Sequence, residues 1–128
     1  MKVNQLPCPP IGLVVKGNVE ILNNNSFSIV GTRKPTAYGI GIATEFATGF
    51  VDRGWDIVSG GAYGIDSAAH RGALLAEGRT IAVIASGVDL HYPSGNARLF
   101  EEICENGAIV SEVMPGVAAL PHRFLTRN

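Results

Sequence analysis

Short apolar runs alternate with segments of helical periodicity along most of this chain, and this alternation limits the possible folds more than any other feature. The strands are predicted at residues 27–30, 55–59, 80–85 and 108–111, and the helices run from near Pro35 to Gly54, from Asp66 to Glu77 and from Leu99 to Gly107. Strands that alternate with helices are typical of a parallel sheet covered by helices. We therefore predict an α/β fold: a doubly wound, mostly parallel sheet with helices on both faces.

The length of the chain sets the number of domains. A chain of 128 residues can bury one core and is too short for two domains. Residues 1–26 are less regular, although Leu13–Val15 can form a further strand and Gly17–Asn18 a turn. We predict one domain over residues 1–128, with residues 1–26 as an irregular lead-in.

Composition excludes several classes of protein. The hydrophobic share of 46% excludes a disordered chain, and a net charge of -1 means that any anion site must arise from local placement of charge. Cys8 and Cys104 lie far apart and indicate neither a disulfide scaffold nor a zinc site. There is no signal-peptide pattern, and no run approaches the ~18 apolar residues of a membrane span. We expect a cytoplasmic protein without membrane contact.

The glycine-rich segment 59–66, Ser-Gly-Gly-Ala-Tyr-Gly-Ile-Asp, lies between a predicted strand and a predicted helix. Ligands of α/β sheets bind at the carboxyl ends of the strands, and the first amides of a helix attract anions. Gly60, Gly61 and Gly64 would let backbone N–H groups point into such a pocket, whereas the alternative is a merely tight turn. Neither Gly-x-Gly-x-x-Gly nor Gly-x-x-x-x-Gly-Lys occurs at a strand-to-helix turn, so dinucleotide binding and ATP hydrolysis are not favoured.

Charged and aromatic residues near the strand ends add candidates to this pocket. Arg33 follows the first strand, where its planar guanidinium can bind a phosphate through two hydrogen bonds, and Lys34 is next to it. The alternative for both is a solvated surface cation. The loop and tail aromatics Tyr63, Tyr92 and Phe124 can stack nucleobases, although each alone is explained by packing.

Asp66 and His70 are four residues apart and share one helix face, as an acid and a base of an enzyme would. We prefer the structural interpretation, in which Asp66 caps the helix and His70 is packed and hydrogen-bonded. A carboxylate at residue 66 can also pair with Arg33 and orient it.

Several segments together resemble a known family. The chain contains Gly31-Thr32-Arg33, the continuous block 59–74, Ser86-Gly87-Val88-Asp89 followed by Tyr92-Pro93 and Asn96, and Ser111-Glu112 followed by Pro115-Gly116. In this order they resemble the signatures of the DNA-processing protein A family (DprA, also called Smf). The resemblance runs from about Pro10 to Asn128, and the block that begins at Ser59 is its most specific part.

The resemblance implies a Rossmann-like domain that binds single-stranded DNA, protects incoming DNA during natural transformation and loads the RecA recombinase. It also implies a homodimer, no cofactor and no catalytic turnover. Arg33 would be a phosphate-binding residue and the 59–66 loop a backbone phosphate cradle. The residues that we expect to contact DNA are Arg33, Lys34, Ser59, Gly60, Gly61, Gly64, Asp66, Gly87, Tyr92, Asn96 and Arg127; we expect no catalytic and no metal-binding residue.

The chain departs from the family pattern at two places. Ser94-Gly95 follow Pro93, where some members have a lysine that contacts DNA. Residues 124–128 look like the start of the family's Phe-Pro-x-Arg-Asn-Arg segment, with Leu125 where proline is usual. We expect a fold that is incomplete at the C-terminus and lacks surface implicated in dimer formation and RecA contact.

Two other functions remain open at this stage. One is an enzyme acting on a nucleotide or sugar phosphate, like the phosphoribohydrolases, with Asp66, His70 or Glu112 as acid or base. Its Pro-Gly-Gly-x-Gly-Thr loop is not matched by residues 114–117. The other is a folded chain that neither binds nor catalyses. The prediction that we carry forward is sequence-independent binding of single-stranded DNA without catalysis.

Overall fold

The apolar runs of the sequence form a five-stranded sheet in the computed structural model, which describes residues 5–128. The strands, in chain order, are β1 (Val14–Gly17), β2 (Ser26–Ser28), β3 (Asp56–Ser59), β4 (Thr80–Val83) and β5 (Ala108–Ser111). Their order across the sheet is β1-β5-β4-β3-β2. Strands β2 to β5 pair in parallel, and β1 pairs with β5 in the antiparallel direction.

Four α-helices connect or follow these strands: α1 (Ala37–Asp52), α2 (Ile65–Leu75), α3 (Ala97–Asn106) and α4 (Pro121–Arg127). Short 3-10 helices cover Val19–Asn23 and Ser94–Asn96. Each element predicted from residue 27 onward is present, and Leu13–Val15 lies at the start of β1. None of the helices in residues 5–128 is both long and apolar enough to cross a membrane.

The ends of α1 show why local sequence predicts these boundaries well. The hydroxyl of Thr36 accepts a hydrogen bond from Gly39 N–H (3.1 Å), which satisfies one of the free amides of the first turn. At the other end Gly54 adopts φ +85°, the left-handed conformation that commonly terminates a helix. The stop at Gly54 and a start near Pro35 were predicted because such signals depend only on neighbours in the chain; the cap itself is the next residue, Thr36.

The connecting helices α1, α2 and α3 lie on one face of the sheet. Strands β2 to β5 follow one another in a single direction across the sheet, and right-handed crossovers then place every connecting helix on the same side. The opposite face is covered by the 3-10 helix Val19–Asn23, whose Ile21 packs on Ile81 and Val110. The α/β fold and the mostly parallel sheet are confirmed. In residues 5–128, however, the second layer expected of a doubly wound sheet consists of this short helix.

The sheet is anchored by apolar contacts on both of its faces. Ala82 and Ile109 face α3 and pack against its fully buried Phe100 and Ile103, whereas their neighbours along each strand face the other side. A strand buried on both faces cannot shift its register without exposing apolar side chains. The carboxyl ends of β2, β3 and β4 are therefore held in fixed positions at one edge.

His70 belongs to this buried framework. It is fully buried, and its Nδ1 lies 2.7 Å from the Thr80 hydroxyl, which itself donates to the Ile57 carbonyl (2.8 Å). Because that hydroxyl proton is used, Nδ1–H is the donor to Thr80 Oγ1. Burial lowers the pKa of His70 from 6.5 to about 3. The packed, hydrogen-bonded interpretation of His70 is confirmed.

We expect the free energy of unfolding to decrease by about 2–3 kcal/mol between pH 7 and pH 4.5 because of His70 alone. The unfolded chain takes up a proton near pH 6.5, whereas the native chain resists protonation until about pH 3. Stability is therefore lost as the pH falls through this window. Urea unfolding at several pH values measures the slope. His70→Asn should remove it, the exposed His122→Asn should retain it, and a slope unchanged in His70→Asn would contradict the assignment.

Candidate phosphate-binding site

The glycine-rich loop and Arg33 face each other at the carboxyl edge of the sheet. Arg33 follows β2, and the loop joins β3 to α2. Together Arg33, Gly60 and Ala62 line two cavities, one shared with aromatic residues and the other with Asp66 and Arg127. The guanidinium of Arg33 is exposed, so an anion can reach it from solvent.

Two glycines give the loop its conformation. Gly61 (φ +72°) and Gly64 (φ +84°) both adopt left-handed backbone angles. A Cβ at Gly61 would lie 2.7 Å from the Phe100 ring, and one at Gly64 would collide with the Thr32 carbonyl and approach the Arg33 Cα to 2.9 Å. The loop thus packs on the core on one side and on the segment carrying Arg33 on the other.

The protein itself uses part of the predicted amide cradle. Ile65 N–H donates to the Thr32 carbonyl (3.1 Å), and Ala62 N–H donates to the buried Asp66 carboxylate (3.3 Å). Asp66 therefore provides an anion near the N-terminus of α2, where the helix dipole favours negative charge. It braces the loop, and its negative charge would repel a phosphate; direct contact of Asp66 with DNA stays a prediction. Among residues 5–128 it forms no ion pair with Arg33 within 4.0 Å.

Three other residues expected to contact DNA support the loops from within. The Ser59 hydroxyl donates to the Ile29 carbonyl (2.6 Å). Both N–H groups of the buried Asn96 amide are used, because Nδ2 donates to the Gly61 carbonyl (3.0 Å) and the Ser67 hydroxyl (2.9 Å). Gly87 is buried, and its N–H donates to a carbonyl of the 112–120 loop (2.8 Å). These donors have partners within the protein, and direct contact of Ser59, Asn96 and Gly87 with DNA stays a prediction.

Lys34 is exposed beside Arg33 in the chain, and its backbone N–H donates to the Thr32 hydroxyl (3.1 Å). Its side chain does not line either of the two cavities. Direct contact of the Lys34 ammonium with DNA stays a prediction.

Aromatic side chains form one wall of the cavity beside Arg33. Tyr92 is 52% exposed, and its ring centroid lies 6.0 Å from that of Phe124. The Arg33 guanidinium carbon lies 5.0 Å from the Phe124 centroid, and the Tyr63 hydroxyl accepts a hydrogen bond from Gly95 N–H (3.1 Å). The structure thus joins three aromatics that the sequence presented as separate candidates. Phe124 was not among the residues that we expected to contact DNA. Its position one helical turn before Arg127, which was among them, could have indicated that it lies at the same site.

Arg127 enters the site from α4. Its Nη1 donates to the carbonyls of Gly60 (2.8 Å) and Val83 (3.2 Å), at the ends of two adjacent strands. Burial lowers the pKa of this guanidinium; the Asp66 carboxylate opposes the shift, and Arg33 adds to it. An arginine nevertheless stays charged at neutral pH. The site therefore contains one exposed cation, one half-buried cation and one buried carboxylate.

This arrangement suits an anion held mainly by Arg33, next to flat apolar rings. No cluster of three or more His, Cys, Asp or Glu side chains within residues 5–128 is arranged to hold a metal ion. The chemistry that the site offers is thus charge-assisted hydrogen bonding and aromatic stacking.

The chain is similar to proteins of one known family. The family model described as DNA recombination-mediator protein A matches residues 1–128. The chain is 38% identical over 121 residues to the DNA processing protein DprA of Bacillus subtilis, which covers 94% of this chain and 41% of the relative. It is 52% identical over 101 residues to the putative DprA of Mycobacterium tuberculosis, covering 79% of this chain and 26% of the relative. The chain therefore spans well under half the length of these relatives.

Two solved structures share the fold. The Streptococcus pneumoniae DprA structure superposes with a TM-score of 0.85 at 38% identity and covers 90% of this chain and 40% of its own. The Helicobacter pylori DNA processing protein A, whose structure concerns a single-stranded DNA binding mode, superposes with a TM-score of 0.88 at 34% identity. That match covers 95% of this chain and 56% of the other.

The packing of Gly64 can be tested by comparison with Gly54, which has nearly the same φ but open space around its Cβ position. We expect Gly54→Ala to cost about 1 kcal/mol, because only the left-handed backbone is strained. Gly64→Ala should cost at least about 2 kcal/mol more, because its Cβ also meets the Thr32 carbonyl and its ψ of -126° is unfavourable for residues other than glycine. Urea denaturation of both variants measures the difference, and equal losses would mean that the loop does not pack on the Arg33 segment.

Proposed function

The chain belongs to the DNA recombination-mediator protein A family, as its sequence signatures indicated, and from this premise we propose that it binds single-stranded DNA independently of base sequence. The observation that carries the proposal is the exposed Arg33 guanidinium, which lies between the glycine-rich loop and the Phe124 ring. A side chain that can bind phosphate thus lies next to a ring on which a base can stack.

The phosphate contact is supported by the state of Arg33. Within the described residues its guanidinium makes no hydrogen bond or ion pair, and its carbon lies 5.0 Å from the Phe124 ring centroid. Its donors are therefore available for a phosphodiester group, which an arginine can bind through two parallel hydrogen bonds. A contact to the backbone carries no base information, so it predicts binding without sequence preference.

The preference for single strands is supported by the aromatic wall. Tyr92 presents half of its surface to solvent next to Phe124. Every base has a flat face that can stack on such a ring, but only an unpaired base can leave its own stack to do so. The Helicobacter pylori relative, described for its single-stranded DNA binding mode, is similar to nearly all of this chain.

RecA loading, homodimer formation, a role in natural transformation and a cytoplasmic location rest on the family resemblance alone. This chain covers 26% of the Mycobacterium tuberculosis relative and 41% of the Bacillus subtilis relative. These properties stay predictions, and the experiments below do not depend on them.

The enzyme alternative gains no support from the residues that it requires. His70 is sealed in the core on Thr80, and Asp66 is buried and accepts the Ala62 amide. Glu112 is exposed and lines a neighbouring cavity with Leu13 and Arg123, which shares Val83 and Arg127 with the cavity of Arg33 but does not contain Asp66 or His70. We infer a protein that acts by binding.

We expect Arg33→Ala to weaken binding of a fluorescein-labelled oligothymidine by about 10-fold or more, because one charge-assisted phosphate contact is lost. The slope of log K against log salt should become shallower by about 0.7, the contribution of one neutralised phosphate on a single strand. Fluorescence anisotropy at several salt concentrations measures both quantities.

The matched control is Arg53→Ala, which removes the same charge from an exposed arginine at the end of α1, where it bonds the Gly49 carbonyl. It should change affinity less than twofold. Salt-insensitive binding, or an Arg33→Ala variant that binds like the wild type, would refute the phosphate contact.

Tyr92→Ala should weaken oligothymidine binding by about 5- to 100-fold through loss of base stacking, while the salt slope stays as in the wild type. Phe46→Ala, which truncates an exposed aromatic of α1 in a different surface cavity, is the control. If duplex DNA of the same length bound as tightly as the oligothymidine, the stacking role of Tyr92 would be wrong.

A further inference from the structure

Helix α4 lies against the candidate site although none of its residues is buried. A helix of seven residues is not stable on its own in water, and the half-buried Phe124 is the one aromatic side chain that this helix packs against the rest of the protein. Its position must therefore depend on specific contacts of a few side chains. Two of them, Phe124 and Arg127, reach the carboxyl edge of the sheet.

Arg127 provides the polar contact. Its Nη1 bridges the carbonyls of Gly60 and Val83, and its Nε donates to the Asn128 side chain (2.7 Å). Three of its five N–H donors are thus used within the protein. A Cβ at Gly60 would collide with Arg127 Nη1 and lie 2.6 Å from the Asp66 carboxylate. The glycine at position 60 therefore makes room for the protein's own guanidinium.

Phe124 lies between Arg127 and Arg33, the residue proposed to bind phosphate. It lies one helical turn before Arg127, and the Arg127 guanidinium carbon is 5.6 Å from its ring centroid. The Arg33 guanidinium carbon is 5.0 Å from the same centroid. An exposed arginine side chain has many rotamers, and a contact with a fixed aromatic ring limits them.

We propose that Arg127 is a positioning residue: it fixes α4 to the ends of β3 and β4, so that Phe124 holds Arg33 in the orientation that binds phosphate. The inference rests on the proposed function and replaces the expectation that Arg127 itself contacts DNA. It gives α4 a role as a support for the ligand-binding arginine.

A double-mutant cycle distinguishes positioning from direct contact. Arg127→Gln should weaken oligothymidine binding about five- to tenfold in the wild-type background. In the Arg33→Ala background it should change affinity less than twofold, because the group it positions is already gone. An equal loss in both backgrounds would show that Arg127 contacts DNA directly and would overturn the proposal. Arg123→Gln removes the same charge from the same helix and should leave affinity within twofold of the wild type.

The anchor itself is measured without DNA. Chymotrypsin cleaves after Phe124 and Leu125, and the rate of cleavage at these two bonds reports how often α4 leaves the edge of the sheet. The rate for each protein is divided by the rate for the same protein unfolded in urea. This ratio should be at least fivefold higher for Arg127→Gln than for the wild type, and less than twofold higher for Arg123→Gln. If Arg33→Ala does not weaken DNA binding, the proposed function fails, and faster cleavage of Arg127→Gln still supports the anchor. Unchanged cleavage of Arg127→Gln overturns the positioning role whatever the DNA result.

Discussion

The contact between the glycine-rich loop and the backbone at Thr32 is the constraint on which the site depends. Ile65 N–H donates to the Thr32 carbonyl, and Gly64 leaves no space for a side chain at the same point. This contact ties the start of α2 to the segment that follows β2. Arg33, the next residue along, therefore faces the loop because the backbone before it is fixed.

The buried polar groups around the loop form a support for one exposed cation. Asn96 donates to the Gly61 carbonyl of the loop, and Asp66 accepts a hydrogen bond from its Ala62 amide. Arg127 bonds the carbonyl at its start. Each of these groups satisfies a backbone donor or acceptor that would otherwise be costly at a partly buried edge. Among residues 5–128 the Arg33 guanidinium has no hydrogen-bond partner, and this distinguishes it from the residues that support the loop.

Much of the fold was predictable because its signals are local. The strands 80–83 and 108–111 are apolar runs buried on both faces, and α1 begins and ends at residues that cap it. The placement of the helices on one face was not predictable from alternation, because it depends on the order of strands across the sheet. That order arises from long-range pairing, which leaves no pattern in any one segment.

The sequence by itself determined the glycine positions of the loop and the presence of Arg33 after β2, because backbone conformation and strand ends are encoded by residue type and local spacing. Only the tertiary structure decided which polar groups remain available. Arg127 reaches Gly60 across 67 residues of chain, and Asn96 reaches Gly61 across 35. Which acceptor a given N–H group bonds depends on distances in three dimensions. Sequence motifs and periodicity do not contain those distances.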